Sequence, residues 1–175
     1  MFWDEFGFSF QEILATTWAR IGKRPVFRRV TKERRALSTA VALTLSGKIY
    51  KKCFEGSIKS KNIIDMLKHV QRHLPGKIIL VWDRARIHLS KMTKAYLYKH
   101  PEILIEELPA YAPQLNPEEY CHGNVKQHLK NARPASKEEI RSMLDRGFAR
   151  LRHRPDLLLG FFHTAGLSVR QLQLT

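Results

Sequence analysis

The feature that most constrains the fold is an apolar run ending in an acid, Ile78-Ile79-Leu80-Val81-Trp82-Asp83. The run is too apolar for a strand with one solvated face, so it predicts a central strand buried on both faces. Strands of this kind belong to sheets covered by helices, and ligand-binding groups collect beyond their carboxyl ends. Asp83 is therefore the first candidate functional residue.

The flanking segments have the periodicities of further strands and helices. Phe2, Phe6, Phe8 and Phe10 share one parity, as in a strand, and Ser46-Gly47 marks a hairpin turn. The expected elements are a strand over 1–10, a hairpin over 36–54, helices over 60–74 and 88–100, a strand over 103–108, and helices over 117–131 and 136–152. This order predicts an α/β domain, with a mixed sheet flanked by helices.

The charge of the chain points to a polyanionic partner. Its 175 residues fit one domain and carry 31 Lys and Arg against 16 acids, a formal net charge of +15. Nucleic acid is the most common partner of such a protein. Two cysteines cannot form a disulfide framework, and no apolar run is long enough for a membrane span. We therefore expect a soluble intracellular protein that binds no membrane.

Basic residues are concentrated between positions 20 and 35, where eight of them accompany a single acid. Gly22 and Pro25 interrupt regular structure there, so the segment is expected to be an exposed loop. Such residues contact phosphates and position DNA without reading its bases. The candidate DNA-binding residues in this segment are Arg20, Lys23, Arg24, Arg28 and Arg29, and further candidates are Arg146, Arg150, Arg152 and Arg154.

Three carboxylates occur where a metal site needs them. Asp4 lies in the first strand, Asp83 ends the central strand, and Glu118 and Glu119 open a helix after a proline-rich loop. Phosphodiester chemistry commonly uses two divalent ions held by a few carboxylates. Each acid taken alone also fits an ordinary structural role, because acids are favoured at turns and in the first turn of a helix.

The motifs around these acids resemble one family. They are Trp82-Asp83-Arg84-Ala85-Arg86-Ile87-His88, Leu108-Pro-Ala-Tyr-Ala-Pro-Gln-Leu-Asn-Pro-Glu-Glu119, Asp4-Glu5-Phe6-Gly7-Phe8 and Trp18-Ala-Arg-Ile-Gly-Lys-Arg-Pro25. Together they resemble the catalytic domain of DDE transposases of the IS630/Tc1/mariner superfamily. The resemblance implies an RNase H-like fold, two Mg²⁺ (or Mn²⁺) ions, and cleavage and strand transfer of DNA during transposition of an insertion sequence. We assign residues 1–132 to this domain and 133–175 to a C-terminal helical extension of it.

The resemblance gives Asp4, Asp83 and Glu119 as catalytic residues and metal ligands. Counting residues from Asp83 favours Glu118, whereas the frame of Asn-Pro-x-Glu favours Glu119, which we prefer. His88 and Lys126 are expected to lie near the metal site or DNA. Two positions depart from the family: Arg84 stands where Asn is usual, and His122 stands where an aromatic residue, usually Trp, is expected.

The family also implies partners. These are transposon ends, a TA-containing target, a helix-turn-helix domain on a separate N-terminal segment or polypeptide, and a homodimer on DNA. The expected location is the bacterial cytoplasm, in association with the nucleoid. Two alternatives stay open at this point. They are a catalytically inactive DNA-binding remnant of a transposase and another RNase H-like nuclease.

Overall fold

The computed structural model describes residues 1–8, 18–24, 37–130, 132 and 134–170. Five strands, β1 (Phe2–Phe8), β2 (Leu37–Leu43), β3 (Ile49–Glu55), β4 (Ile78–Trp82) and β5 (Ile103–Glu107), form one sheet. Within the described residues, five helices accompany them: α1 (Ser60–His73), α2 (Lys91–Tyr98), α3 (Pro117–His128), α4 (Lys137–Arg152) and α5 (Pro155–Thr164). A short 3-10 helix, Pro113–Leu115, precedes α3.

The sheet has the strand order β3-β2-β1-β4-β5. β2 pairs antiparallel with both β1 and β3, whereas β1, β4 and β5 run parallel to one another. The predicted mixed sheet is thus confirmed. Phe2 of β1 lies opposite Val81 of β4. Continuing this parallel register by two residues places Asp4 beside Asp83, so the topology alone brings two of the candidate acids together.

Two hydrophobic cores lie on opposite faces of the sheet. Phe2, Phe6 and Phe8 of β1 pack with residues of α3, α4 and α5 on one face. Trp3 packs on the other face with residues of α1, β2, β4 and β5. Successive side chains of a strand point to opposite faces, which is why one strand serves both cores. Asp4 shares the parity of the phenylalanines, and Glu5 shares that of Trp3.

The central strand β4 is less buried than its sequence predicts. Leu80 and Trp82 are buried, but Ile79 is 55% exposed and its register partner Leu104 in β5 is 51% exposed. The reason is the placement of the helices, because α3 contacts β1 and β2 while α4 contacts β2 and β3. The described helices therefore leave part of the β4–β5 edge uncovered on this face.

Helix boundaries follow local capping. Ser90 caps α2 by accepting from the Thr93 backbone N–H, so this helix begins three residues later than predicted. Asn116 and Ser136 cap α3 and α4 as expected, accepting from the backbone N–H groups of Glu118 and Glu139. In the part of the chain that the structure describes, no helix is long and apolar enough to cross a bilayer.

Candidate active site

The three predicted acids meet at one cleft. Asp4 lies in β1, Asp83 directly follows β4, and Glu119 occupies the first turn of α3. All three line a cleft of about 400 Å³ whose opposite wall is formed by residues 108–113. The sheet register supplies the two aspartates, and the proline-rich loop returns the chain so that α3 starts beside them.

Asn116 fixes the start of α3 against the sheet. Its side-chain amide donates to the backbone carbonyl of Trp3 at 3.1 Å, and its Oδ1 accepts from the Glu118 N–H at 3.1 Å. Asn116 is itself buried. One side chain thus ties β1 to the first turn of α3, which carries Glu118 and Glu119.

A first group of ionisable residues, here called the His122 cluster, consists of Asp4, Glu118, Glu119 and His122. His122 Nδ1 lies 2.8 Å from Glu118 Oε2 and 3.8 Å from Asp4 Oδ2, and His122 Nε2 lies 3.1 Å from Glu119 Oε2. The imidazole stacks on the Phe6 ring at 4.8 Å between centroids. Glu118 is fully buried, whereas the Glu119 side chain is 39% exposed toward the cleft.

Burial and mutual repulsion set the charge state of this cluster. Burial, followed by the charges of Glu118 and Glu119, raises the pKa of Asp4 to about 9. Burial alone lowers the pKa of His122, but its bonds to Glu118 and Glu119 outweigh this and raise the pKa to about 10. The His122 hydrogen bond lowers the pKa of Glu119, while burial raises that of Glu118. The ionised forms of Asp4 and Glu118 are therefore disfavoured here unless positive charge is added to that of the His122 imidazolium.

A second group, here called the His88 cluster, consists of Glu5, Asp83 and His88. His88 Nδ1 lies 2.9 Å from Asp83 Oδ1 and 3.0 Å from the Asp83 carbonyl oxygen, and His88 Nε2 lies 2.9 Å from Glu5 Oε1. The imidazole stacks on Trp82 at 4.1 Å, and the Trp3 indole N–H donates to Glu5. Asp83 also accepts from the Ala85 N–H at 3.0 Å.

The hydrogen bonds of the His88 cluster keep Asp83 ionised. The bond from His88 lowers the pKa of Asp83. Burial opposes the charged form of His88, but bonds to Asp83 and Glu5 outweigh it and raise the pKa of His88 to about 10. Asp83 is thus held as a carboxylate in one orientation, with its side chain 59% exposed at the cleft.

The residues of the cleft fit a divalent metal ion. Ligand atoms of Asp4, Glu119 and His122 lie within 4.8 Å of one another. Asp4 Oδ2 is buried and has no hydrogen-bond partner in the described part of the protein, which is a costly arrangement for a carboxylate oxygen without a cation. Carboxylate oxygens are the donors that Mg²⁺ and Mn²⁺ accept.

Comparison with known proteins identifies the family. The family model of the DDE superfamily endonucleases matches residues 1–141. The chain belongs to this family. A comparison with curated protein sequences finds no match.

Solved structures of Mos1 mariner transposase resemble this DDE domain. The Mos1 paired-end complex with the left transposon end matches with a TM-score of 0.65 and 18% identity, over 98% of this chain and 56% of that chain. The Mos1 paired-end complex with Mn gives 0.66 and 18%, over 94% and 55%. The isolated Mos1 catalytic domain gives 0.55 and 18%, over 75% and 74%. The chain thus spans just over half of the Mos1 chain in the complexes, and the predicted RNase H-like fold is confirmed.

The predicted DNA-binding residues of the DDE domain differ in their exposure to solvent. Arg20, Lys23 and Arg24 are exposed. Arg28 and Arg29 lie outside the described residues. Lys126 is half-buried, and its Nζ lies 5.1 Å from the centroid of the Phe6 ring. Its charge is among the influences that lower the pKa of Glu119.

His88 contacts the site rather than the surface. Its exposed fraction is only 2%, and both ring nitrogens face carboxylates. The expected role of His88 in binding DNA stays a prediction.

Sequence reasoning did not place Glu5, His122 or Tyr111 at the site. Glu5 bonds His88 across 83 positions of the chain, which no local pattern signals. The i,i+4 spacing of Glu118 and His122 was available as a signal, since it places both side chains on one helix face. Tyr111 lines the cleft, is fully exposed, and has the left-handed φ of 58°, which is uncommon for a residue other than glycine.

Proposed function

We propose that this chain is the catalytic domain of a transposase that cleaves DNA at transposon ends and transfers the strand to a TA-containing target. The observation that carries this proposal is the convergence of Asp4, Asp83 and Glu119 on one cleft in a DDE-family domain with a net charge of +15. Carboxylates alone would repel a phosphodiester, so the proposal requires cations between the acids and the DNA.

Asp4, Asp83 and Glu119 are proposed to hold two Mg²⁺ or Mn²⁺ ions. Such ions, when bound, stabilise the attacking and leaving oxygens of an in-line displacement. Asp4 contributes a buried oxygen that no protein donor satisfies in the described residues. Asp83 contributes an oxygen at the carboxyl end of β4, oriented by His88. Glu119, rather than Glu118, reaches the cleft because Glu118 is turned into the protein.

DNA is proposed to approach across the open side of this cleft. The positive charge supplies the sequence-independent part of the affinity through phosphate contacts. We propose Arg20, Lys23, Arg24, Arg28, Arg29 and Lys126 as contributors. Tyr111 offers a fully exposed ring at the cleft, and exposed aromatic rings stack on unpaired bases.

The remaining partners and the domain extent are proposed as well. A helix-turn-helix domain or polypeptide would recognise the transposon ends, and a homodimer would pair two ends, in a cytoplasmic, nucleoid-associated protein. We also propose that residues 133–175 extend the domain of residues 1–132. Support comes from α4 and α5, whose residues Ile140, Phe148 and Phe162 share one core with Phe6.

The test is cleavage of a DNA substrate by wild type and Asp83→Asn with Mg²⁺ or Mn²⁺. Asn keeps the size of Asp83 but loses the charge that holds a cation, so nicking should be abolished while non-specific DNA binding stays nearly intact. Asp65→Asn, on the exposed surface of α1 where it pairs with Lys52, serves as the matched control and should nick like wild type. Equal nicking by Asp83→Asn would refute the assignment. An inactive wild type that still binds DNA would favour the alternative of a catalytically inactive remnant.

A further inference from the structure

We propose that His122 is a ligand of the cation held by Asp4 and Glu119, which makes this position a mixed oxygen–nitrogen metal site. The inference rests on the proposed function, because it requires a cation at the cleft. It goes beyond that function by adding a residue outside the three acids and by specifying which metal ions the site prefers.

The first argument is the placement of the imidazole. Glu119 and His122 are three residues apart on α3, so their side chains lie on one helix face. His122 Nε2 lies 3.1 Å from Glu119 Oε2, and the ligand atoms of Asp4, Glu119 and His122 lie within 4.8 Å of one another. Two ligand atoms bonded to one cation at about 2.0–2.2 Å lie at most about 4.4 Å apart, so these atoms are already close to the spacing that a shared cation requires.

The second argument is the partner of the other ring nitrogen. A histidine that binds a metal almost always donates its remaining N–H to a carboxylate or carbonyl, which fixes the tautomer and the ring orientation. His122 Nδ1 is 2.8 Å from Glu118 Oε2, and Glu118 is fully buried. Phe6 stacks on the ring and restricts its rotation. Nδ1 is thus committed to Glu118, and Nε2 binds the cation once its proton has been released to water, because only a neutral imidazole binds a metal.

The third argument explains why two glutamates occur in succession. Glu118 Oε1 and Asp4 Oδ2 are buried without a hydrogen-bond partner in the described part of the chain. A buried carboxylate is expensive unless it is paired or serves a cation. Glu118 then orients His122, and Glu119 binds the ion, so the adjacent acids have different roles.

A purely structural role for His122 is the competing interpretation. In that case the imidazolium serves only as an ion-pair partner for Glu118 and Glu119, and the cation contacts oxygen atoms alone. The two interpretations differ in a measurable property, namely whether nitrogen is bonded to the metal. Because Mg²⁺ prefers oxygen whereas imidazole suits transition metals, a nitrogen ligand also favours Mn²⁺ over Mg²⁺.

The decisive experiment is pulsed electron paramagnetic resonance on the Mn²⁺-loaded protein. Wild type should show the hyperfine coupling of a directly bound imidazole nitrogen, and His122→Gln should lose it. Gln retains a donor for Glu118, which limits the structural damage. His88→Gln is the matched control at the same site and should keep the coupling. Thermal unfolding of each variant verifies that it is folded.

A second measurement compares metal affinities by titration calorimetry. His122→Gln should weaken Mn²⁺ binding more than Mg²⁺ binding, so that the preference for Mn²⁺ falls about 10-fold or more. Glu118→Gln should keep the nitrogen coupling but weaken Mn²⁺ binding about 10–100-fold, as expected for the partner that orients a ligand.

The outcomes separate this inference from the proposed function. Mn²⁺ binding without nitrogen coupling in wild type would overturn the role of His122 and leave the three acids as the metal site. Coupling that persists in His122→Gln, or disappears in His88→Gln alone, would overturn it equally. A protein that binds neither Mn²⁺ nor Mg²⁺ would overturn both the inference and the proposed function.

Discussion

The two histidine clusters lie on opposite faces of the same strand and are built from the same chemistry. Each has an imidazole between carboxylates, stacked on an aromatic ring, with a pKa raised to about 10. They differ in what they leave unsatisfied. In the His88 cluster every nitrogen faces an acid and the His88 side chain is 1% exposed. In the His122 cluster, Asp4 and Glu118 each keep a buried oxygen without a hydrogen-bond partner in the described residues.

Under the proposed function, the His88 cluster orients the ligand Asp83, and the His122 cluster holds the buried carboxylates that a cation would stabilise. A network whose donors and acceptors are matched is stable by itself and holds Asp83 in place. A network of several buried carboxylates is unfavourable in its ionised form until a cation offsets the charge. The same pair of residue types thus gives rigidity on one face of β1 and binding capacity on the other.

The largest expected effect is a difference in nicking rate between variants of the two adjacent glutamates, Glu118 and Glu119. Glu119→Gln removes a proposed ligand and should lower the rate of Mn²⁺-dependent nicking about 1,000-fold, because metal stabilisation of the transition state is worth several kcal/mol. Glu118→Gln removes only the partner of His122 and should lower the rate about 10–100-fold. Single-turnover nicking at saturating DNA measures both, and the reverse order would assign the ligand to Glu118.

Replacing His88, whose hydrogen bonds are all matched, should lower the stability of the fold. His88→Gln breaks bonds to both Asp83 and Glu5, so we expect the free energy of unfolding to fall by about 2–4 kcal/mol. Urea denaturation in EDTA measures this loss. His100→Gln, a half-exposed histidine beside Glu102, is the control and should change stability by less than about 1 kcal/mol. A His88 variant as stable as this control would contradict the interpretation that the matched hydrogen bonds of the His88 cluster stabilise the fold.

Asp4→Asn, unlike His88→Gln, is expected to stabilise the fold when no metal is bound. The raised pKa of Asp4 means that its carboxylate is unfavourable in the folded protein when no cation is present. Replacing it by a neutral isostere should therefore stabilise the fold in EDTA at neutral pH, by about 1–3 kcal/mol, while abolishing nicking. Thermal unfolding with and without Mn²⁺ tests this. A less stable variant in EDTA would show that the cluster is already balanced.

The pH dependence of stability follows from the raised pKa of His88. Its pKa rises from 6.5 in the unfolded chain to about 10 in the fold. The stabilisation is therefore fully present below pH 6.5 and is lost as the pH rises toward 10. The difference in unfolding free energy between wild type and His88→Gln, measured in EDTA, should shrink over this window. A difference that is constant from pH 6 to pH 10 would exclude a charged His88.

The smallest expected effect is a change in the salt dependence of DNA binding when basic residues outside both clusters are replaced. Replacing Arg20, Lys23 and Arg24 together by Ala should reduce the slope of log affinity against log salt concentration by about 2–3, since each phosphate contact contributes about 0.9. Nicking at saturating DNA should be unaffected. Arg72→Ala, on α1, serves as the single-charge control for a non-specific loss of positive potential. An unchanged salt slope in the triple variant would remove this segment from the DNA-binding surface.

Much of the fold could be predicted because its signals are local. The hairpin, α1 and β5 could be predicted from the periodicity of apolar residues over short segments. The start of α3 could be predicted from Asn116, which is a favourable N-cap residue. The prediction that the strand containing Ile79 is buried on both faces was wrong. Burial depends on which helices cover a strand, and the residues of those helices lie far away in the chain. Arg28 and Arg29 stay predictions, as does the division at residue 132.

The sequence by itself determined the family, the charge and the three acids, since each is a matter of residue type and spacing along the chain. Only the tertiary structure decided which acids are buried, that Glu5 reaches His88, and that Glu118 and His122 form a pair behind Glu119. The physical reason is that pKa, orientation and metal fit depend on distances between atoms of different elements. Those distances arise when β1, β4 and α3 are brought together by the sheet register and by the Asn116 contact with Trp3.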